Sequence, residues 1–363
     1  MAPPGAPDPT HRSLQGEGGR QVSAASAKTH ISQPPTRFQQ VADVLFRQLC
    51  HGFAWLSVIL AAFIVLKIAM AAGPAMRQHG IAFLAGTTWD PNTGQFGILP
   101  EIWGTIYTSC LALAIGAAFG VAAAIFLSEG FLSQAIFGVL RLFGLEFHPI
   151  FGKLPDQVEA FLKNLIELLA AIPSVVYGLW GLFVVIPTIR PVCNWINLKL
   201  GWIPFFGTTL TGPGVLPAVI VLSIMILPTN TAISRDALVS VPPKLRMAAY
   251  GMGATRWETI LAVILPTAAR GIVAAIILAF GRALGETMAL AMLVGNANRI
   301  SLSLFSPANT LAALLANNFP EAAKKDVAVL MYAAMVLLAI TLFVNIIGSV
   351  ILERASSAAE GGK

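Results

Sequence analysis

An arginine and a glutamate stand four residues apart in a stretch that is otherwise apolar. Arg282 and Glu286 would share one face of a helix, because each residue turns the helix by about 100°. A charge at membrane depth costs at least about 2.5–3.5 kcal/mol on insertion scales, so both side chains should face protein or water. The planar guanidinium of Arg282 suits a tetrahedral oxyanion, and Glu286 would orient it and keep an anion from binding too tightly. The pair therefore predicts a path for an oxyanion.

The same pair has a second interpretation, in which it holds two membrane subunits together. Gly281 and Gly285 border the face that Arg282 and Glu286 would share, and a G-x-x-x-G spacing lets a neighbouring helix approach closely. The residues alone leave both interpretations open, a transport path in one case and helix packing in the other.

The elements that carry these residues are predicted to be membrane helices. Of the 363 residues, 56% are hydrophobic and only 11% are charged, and the mean hydropathy is +0.76, outside the range of ordinary soluble domains. Several runs approach or exceed the roughly 18–20 apolar residues needed to cross a bilayer. Backbone groups in lipid must bond within their own segment, so the fold class is all-α and polytopic. The predicted spans are 53–73, 105–128, 164–187, 214–234, 267–295 and 327–351.

The distribution of basic residues predicts the orientation of these spans. If the N-terminus is inside, the inner segments hold roughly twice as many Lys and Arg residues as the outer ones, as the positive-inside rule expects. Six spans then place both termini in the cytoplasm. The pI of about 9.4 is therefore attributed to topology, and no nucleic-acid partner is expected.

The chain is predicted to divide into four parts. Residues 1–40 have few large apolar side chains and are predicted to form a disordered cytoplasmic tail without a cleavable signal peptide. Residues 41–104 hold the first span and an outer loop. Residues 105–353 form the core, which includes a cytoplasmic loop at 236–268, and residues 354–363 form a short cytoplasmic tail.

A phenylalanine-rich insertion occupies residues 129–160. At helical spacing its aromatic residues would form an apolar face lying on the inner membrane surface. A partly inserted re-entrant segment is the rival interpretation, and the sequence fits both. No function is assigned to this insertion.

Residues that would carry catalysis or bind a metal are missing from the sequence. It contains no G-x-x-x-x-G-K-[ST] phosphate loop, no G-x-S-x-G elbow and no H-E-x-x-H motif. The three cysteines and five histidines are scattered without the spacing of a metal site. We therefore expect a non-catalytic conduit or scaffold that has no metal or cofactor of its own.

A basic loop interrupts the apolar pattern between the fourth and fifth spans. A proline pair ends the preceding helix, and the sequence then predicts two short helices at 244–250 and 255–264. A turn at Gly251 and Gly253 separates them, and a capping box that begins at Thr255 starts the second. On spacing alone, this hairpin either anchors the loop at the membrane surface or docks on a partner.

The spacing of this loop resembles the EAA loop of ATP-binding-cassette (ABC) importer permeases, E-A-A-x3-G-x9-I-x-L-P. In that family the loop forms coupling helices that dock on a cytoplasmic ATPase subunit, so the resemblance implies that this loop couples transport to ATP hydrolysis. The positions that match the pattern are Ala248, Ala249, Gly253, Leu265 and Pro266.

Two positions depart from the EAA pattern. Met247 stands where the family usually has glutamate, and Val263 stands where it usually has isoleucine. The second change is mild, whereas the first removes a carboxylate that could pair with a basic group on the ATPase. We therefore expect docking to depend on apolar contact and on Arg246 or Arg256.

Four further segments extend the resemblance, in the same order along the chain, to the phosphate-specific permeases of this family, the PstC type. The likeness covers roughly residues 85–350 and implies a type I ABC importer permease fold in a bacterial inner membrane, with Arg282 and Glu286 on the phosphate path. Pro173, in the second segment, predicts a kink in the third span. The four segments are 89–105, 167–181, 281–289 and 300–305.

The resemblance also implies partners. These are a second permease of the PstA type, a dimer of a PstB-type ATPase that binds ATP and Mg, and a PstS-type phosphate-binding protein that docks on the outer loops. A permease for another oxyanion, molybdate or sulfate, is the nearest alternative. An ATP-independent secondary transporter is the alternative from another class; it should show internal repeats, broken helices with paired polar residues and no docking loop.

Overall fold

The computed structural model describes residues 36–131 and 154–360, and most of these residues are helical. Of the tail predicted at 1–40, residues 1–35 lie outside the described residues, and the first helix begins at Arg37. Most of the 129–160 insertion, residues 132–153, also lies outside them. The helices are α1 (Arg37–His79), α2 (Ala82–Ala85), α3 (Leu99–Ser128), α4 (Leu154–Ala171), α5 (Ser174–Trp180), α6 (Ile186–Leu200), α7 (Val215–Val239), α8 (Pro243–Gly251), α9 (Arg256–Thr259), α10 (Leu265–Leu284), α11 (Met288–Leu293), α12 (Leu311–Asn318) and α13 (Lys324–Glu360).

Six of the described helical segments are long and apolar enough to cross a membrane, as predicted. Two of them are composite: a π-helical turn, Gly181–Val185, joins α5 to α6, and a second, Ile260–Ile264, joins α9 to α10. The six are Arg37–His79, Leu99–Ser128, Ser174–Leu200, Val215–Val239, Arg256–Leu284 and Asp326–Glu353. The predicted all-α, six-span architecture is therefore confirmed.

The third span begins about ten residues later than predicted, because Pro173 ends a separate helix. Its φ of −59° and ψ of 140° are extended rather than helical, as expected where proline cannot continue a helix. The segment before it, α4, is an amphipathic helix with its own sequence pattern. Pro173 is thus a complete break between two helices, and the span runs from Ser174 to Leu200.

The fifth span ends earlier than predicted. The apolar pattern runs to residue 295, but α10 ends at Leu284 and α11 starts only at Met288. Gly285 takes the C-cap position of α10, and glycine is a poor helix former. Arg282 therefore lies in the last turn of α10 and Glu286 lies in the break that follows, and the prediction that they share one helix face is wrong.

Helix α7 lies at the centre of the core and is the most buried of the six spans. It packs along α3 through two glycines, since a Cβ on Gly120 would lie 2.4 Å from Asn230 Nδ2 and one on Gly116 would lie 2.7 Å from Ile226. Asn230 Nδ2 donates to the carbonyl oxygen of Gly116 at 3.3 Å. Small residues and interhelical hydrogen bonds are the usual basis of packing in membranes.

The chain divides at Ala62 into two compact units. In the first, the described residues belong to α1, and their side chains are exposed. The second contains the buried clusters, together with a two-residue antiparallel ladder in which Trp89–Asp90 pairs with Gln95–Phe96. Every site discussed below belongs to this second unit.

Candidate functional site

The break at the end of the fifth span, residues 285–287, places two charged residues beside non-helical backbone. Arg282 is exposed in the last turn of α10, and Glu286 is half-buried inside the break. Among the described residues, neither side chain has a hydrogen-bond or ion-pair partner. Glu286 therefore does not hold the Arg282 guanidinium in this conformation. Charged groups and open backbone require protein or water around them wherever they lie within a bilayer.

The third span closes one side of the break. Arg282 is near enough to Tyr177 of α5 to interact with it electrostatically, and the Tyr177 hydroxyl donates to the carbonyl oxygen of Leu169 at 2.8 Å. A Cβ on Gly178 would lie 2.7 Å from Met292 Sδ in α11. Helices α5 and α11 thus approach closely at Gly178, where a Cβ would also lie 3.3 Å from the Cα of Ala289.

The two glycines that flank Arg282 differ in their surroundings. A Cβ on Gly281 would lie 3.2 Å from Asn345 Oδ1 in the sixth span, which is a tight contact. A Cβ on Gly285 would meet only carbonyl oxygens of its own turn, at 3.7 Å and beyond. Gly281 therefore lies at a helix–helix contact, whereas Gly285 lies at the end of α10.

Residues 240–264, called the loop below, contain the glycine elbow and the first short helix that the sequence predicts. The second predicted helix, 255–264, is not separate, because α9 continues through the π-helical turn Ile260–Ile264 into α10. The fifth span therefore begins at Arg256 and not at residue 267. Helices α8 and α9 are separated by Gly253, whose φ of +86° is in the left-handed region that favours glycine. The capping box is present as well: Thr255 N donates to Glu258 Oε2 at 2.7 Å, and Glu258 N donates to Thr255 Oγ1 at 3.4 Å.

An apolar surface on this loop is open to solvent. Met247 is 72% exposed and Met252 is 89% exposed, and Trp257 is also exposed. The motif positions Ala248, Gly251, Gly253 and Pro266 are exposed, whereas Ala249 and Leu265 are half-buried. Soluble surfaces seldom expose large apolar side chains so close together without a partner.

The loop arginines are turned toward the chain itself. Arg246 Nη1 contacts Glu129 Oε1 at 2.6 Å, and Arg246 Nη2 donates to the carbonyl oxygen of Leu238 at 2.8 Å. Arg256 Nη2 donates to the carbonyl oxygen of Glu129. We expected Arg246 or Arg256 to serve docking; in this conformation both are hydrogen-bonded within the chain. The sequence did not identify Glu129, whose only signal is an acidic residue directly after the second span.

A polar cleft of about 460 Å³ lies among the residues that follow the break. Five of its seven lining residues are asparagines, and Glu101 lies next to the cleft, fully buried. Glu101 Oε1 is 3.5 Å from Asn309 Nδ2, and Oε2 has no partner among the described residues. The lining residues are Trp89, Asn296, Asn298, Asn309, Leu314, Asn317 and Asn318.

Six candidate spans define a multi-pass membrane protein, which has a charged break at the end of the fifth span and an exposed apolar surface on the loop at 240–264. In the described residues no group of three or more His, Cys, Asp or Glu side chains could hold a metal ion. The chain belongs to the family described as the binding-protein-dependent transport system inner membrane component, which matches residues 150–355.

Curated relatives agree with this family. The phosphate transport system permease protein PstC of Mesorhizobium japonicum is 36% identical over 312 residues, covering 84% of this chain and 86% of that protein. The protein of the same name in Haemophilus influenzae is 35% identical over 317 residues, covering 86% of this chain and 93% of that protein. The chain is thus similar to these permeases over most of its length.

A solved structure supports the fold. A chain in the crystal structure of a bacterial alginate ABC transporter, in complex with an alginate pentasaccharide-bound periplasmic protein, superposes with a TM-score of 0.55. It is 16% identical, and the match covers 86% of this chain and 96% of that one. At this identity the likeness concerns the fold alone, and it confirms the predicted importer-permease fold.

Proposed function

We propose that this chain is the transmembrane permease subunit of an ATP-driven importer that moves inorganic phosphate across the bacterial cytoplasmic membrane. The observation that carries the proposal is the unpaired Arg282 beside the break in the fifth span, in a chain similar to proteins named phosphate transport system permease. An arginine at this depth needs an anion or water opposite it, and phosphate supplies the anion.

Arg282 binds the passing phosphate through two parallel N–H groups, because the guanidinium fork matches two oxygens of a tetrahedral anion. Glu286, four residues further on and half-buried, repels the same anion. A repulsive carboxylate shortens the time that phosphate stays bound, which a transport path requires. The non-helical backbone at 285–287 lets the two side chains approach the anion from separate directions.

The loop at 240–264 docks on the ATPase through its apolar surface. Met247 and Met252 are the two most exposed of the large apolar side chains there, and burying such groups is worth about 1.5–3 kcal/mol each. This chain is the non-catalytic subunit, and ATP and Mg bind to the partner ATPase. Ala248, Gly251 and Pro266 lie on the exposed side of the docking region.

The complete importer contains a second permease of the PstA type, a dimer of PstB-type ATPase subunits and a PstS-type phosphate-binding protein outside the membrane. Both termini of this chain are cytoplasmic, which places the loop at 240–264 on the side of the ATPase. The positive-inside distribution of Lys and Arg supports this orientation. The bilayer surrounds the spans.

The test is reconstitution of the chain with its cognate partners in liposomes. Phosphate, and neither sulfate nor molybdate, is expected to stimulate ATP hydrolysis and to accumulate inside. Stimulation by sulfate or molybdate instead would assign the chain to another oxyanion. Phosphate accumulation that persists when the ATPase subunit is omitted would show a secondary transporter.

A further inference from the structure

We propose that Glu129 is a positioning residue for coupling, which joins both short helices of the 240–264 loop to the end of the second span. Through it, a displacement of the loop would be passed to α3 as well as to the fifth span. The inference rests on the proposed function, because coupling has meaning only in an ATP-driven importer.

The first attachment is the ion pair between Glu129 and Arg246. Glu129 is the C-cap residue of α3 and its side chain is only 6% exposed, and Gly130 turns the chain immediately after it with a φ of +60°. Its Oε1 lies 2.6 Å from Arg246 Nη1, a short contact of the kind that charged partners make. The second nitrogen of the same guanidinium reaches the Leu238 carbonyl oxygen at 2.8 Å. Arg246 thus ties α8 to the ends of both α3 and α7.

The second attachment joins α9 to the same point. Arg256 donates to the carbonyl oxygen of Glu129, and its guanidinium carbon lies 3.9 Å from the centre of the Phe131 ring. Phe131 also stacks on Trp257, with 5.2 Å between ring centres. A cation over an aromatic face and a ring stack each add to the hydrogen bond. Both helices that flank the Gly253 elbow are therefore attached to residues 129–131.

This arrangement separates two tasks on the loop. The polar groups of Arg246 and Arg256 face the chain, whereas Met247 and Met252 face solvent. A partner that displaces the exposed surface would therefore also displace α3 through Glu129. Helix α3 in turn packs along the central helix α7 through Gly116 and Gly120, so the displacement would reach the core.

The test uses Glu129→Gln in the complete reconstituted importer, with phosphate uptake and ATP hydrolysis measured on the same vesicles. Uptake per ATP hydrolysed is expected to fall by about tenfold or more, the change that corresponds to losing one hydrogen bond between charged groups. Glu129→Asp, which keeps the charge, should restore part of the ratio. Glu167→Gln is the matched control, because that glutamate makes only an exposed 3.9 Å contact with Lys163, and it should leave the ratio unchanged.

Arg246→Gln and the double variant show whether the two residues act as a pair. If they do, Glu129→Gln combined with Arg246→Gln should be no worse than the poorer single variant. Additive losses, or an unchanged uptake per ATP in Glu129→Gln, would overturn the proposal. So would failure of both Glu129→Gln and Glu129→Asp to copurify with the ATPase, because the role would then be assembly. A wild-type importer that does not move phosphate would instead refute the proposed function.

Discussion

Arg246 and Arg282 belong to the same chain but stand in opposite circumstances. The Arg246 guanidinium donates to Glu129 and to a backbone carbonyl oxygen. Arg282 is exposed and has no hydrogen bond or ion pair among the described residues. An arginine that is hydrogen-bonded within its own chain stabilises the structure, whereas one without such bonds is available to a ligand. The loop and the break therefore use the same residue type, arginine, for different purposes.

The largest effect is expected at the break. Arg282→Gln should reduce phosphate uptake by about 100-fold or more, since a bidentate contact to a charged group is worth about 3 kcal/mol. The protein should still assemble, because Arg282 has no hydrogen bond or ion pair among the described residues to lose. Uptake into vesicles and copurification of the subunits measure the two outcomes.

Arg282→Lys serves as the control, because lysine keeps the charge without the planar fork. It should retain more uptake than Arg282→Gln. Normal uptake by a well-assembled Arg282→Gln variant would remove Arg282 from the path and leave a packing role.

The next effect concerns the elbow of the loop. Gly253→Pro should uncouple ATP hydrolysis from transport without unfolding the spans, because proline cannot adopt the φ of +86° and cannot donate to the Tyr250 carbonyl oxygen at 3.0 Å. Phosphate uptake per ATP hydrolysed measures the effect. Gly52→Ala is the control, since a Cβ there meets nothing within 4 Å and the residue lies outside the docking region. If uptake in Gly253→Pro follows hydrolysis as in the wild type, the coupling role of the elbow is wrong.

A smaller effect is expected on the exposed surface of the loop. Met247→Ser should weaken association with the ATPase by about tenfold, because roughly 1.4 kcal/mol of apolar burial is lost. Met247→Leu, which keeps the apolar surface, should bind as the wild type does. Titration of the ATPase against the permease in detergent gives both affinities. Equal affinities for the two variants would contradict apolar docking at Met247.

The smallest expected effect is a difference in protein stability between alanine variants of Gly281 and Gly285. Gly281→Ala should destabilise the protein by at most about 1 kcal/mol, because its Cβ crowds Asn345 Oδ1 at 3.2 Å whereas alanine favours the helix. Gly285→Ala should change stability by less than about 0.5 kcal/mol, since its Cβ meets nothing closer than 3.7 Å. Thermal unfolding in detergent compares them. A larger loss for Gly285→Ala would place a helix contact at the break that the described residues lack.

The six spans were predictable because an apolar run of sufficient length has few alternatives to a membrane helix. The break at 285–287 was not, because the apolar pattern continues through it and only Gly285 and Thr287 hint at a change. Pro173 predicts a kink in the third span, whereas the structure has a complete break between two helices at this residue. Broken spans also appear among the features expected of secondary transporters, so they do not distinguish the two classes here.

The loop shows why contacts between residues far apart in the chain cannot be predicted from a single sequence. The first short helix, the elbow and the capping box depend on neighbours within a few residues, and these three were predicted correctly. The second helix was predicted as separate, whereas it is the start of the fifth span. The ion pair of Arg246 with Glu129 joins residues 117 positions apart, and no local pattern indicates it. The asparagine cleft likewise combines residues from 89 to 318.

The attachment of the loop to residues 129–131 also bears on how fast the subunits would assemble. Because α8 and α9 are each fixed to the chain's own spans, the docking surface has its final shape before a partner arrives. Little conformational entropy would then be lost on binding, and association would proceed as the encounter of two rigid bodies. The loop would thus be a preformed docking surface. Its rate of association with the ATPase should depend on solvent viscosity only through diffusion.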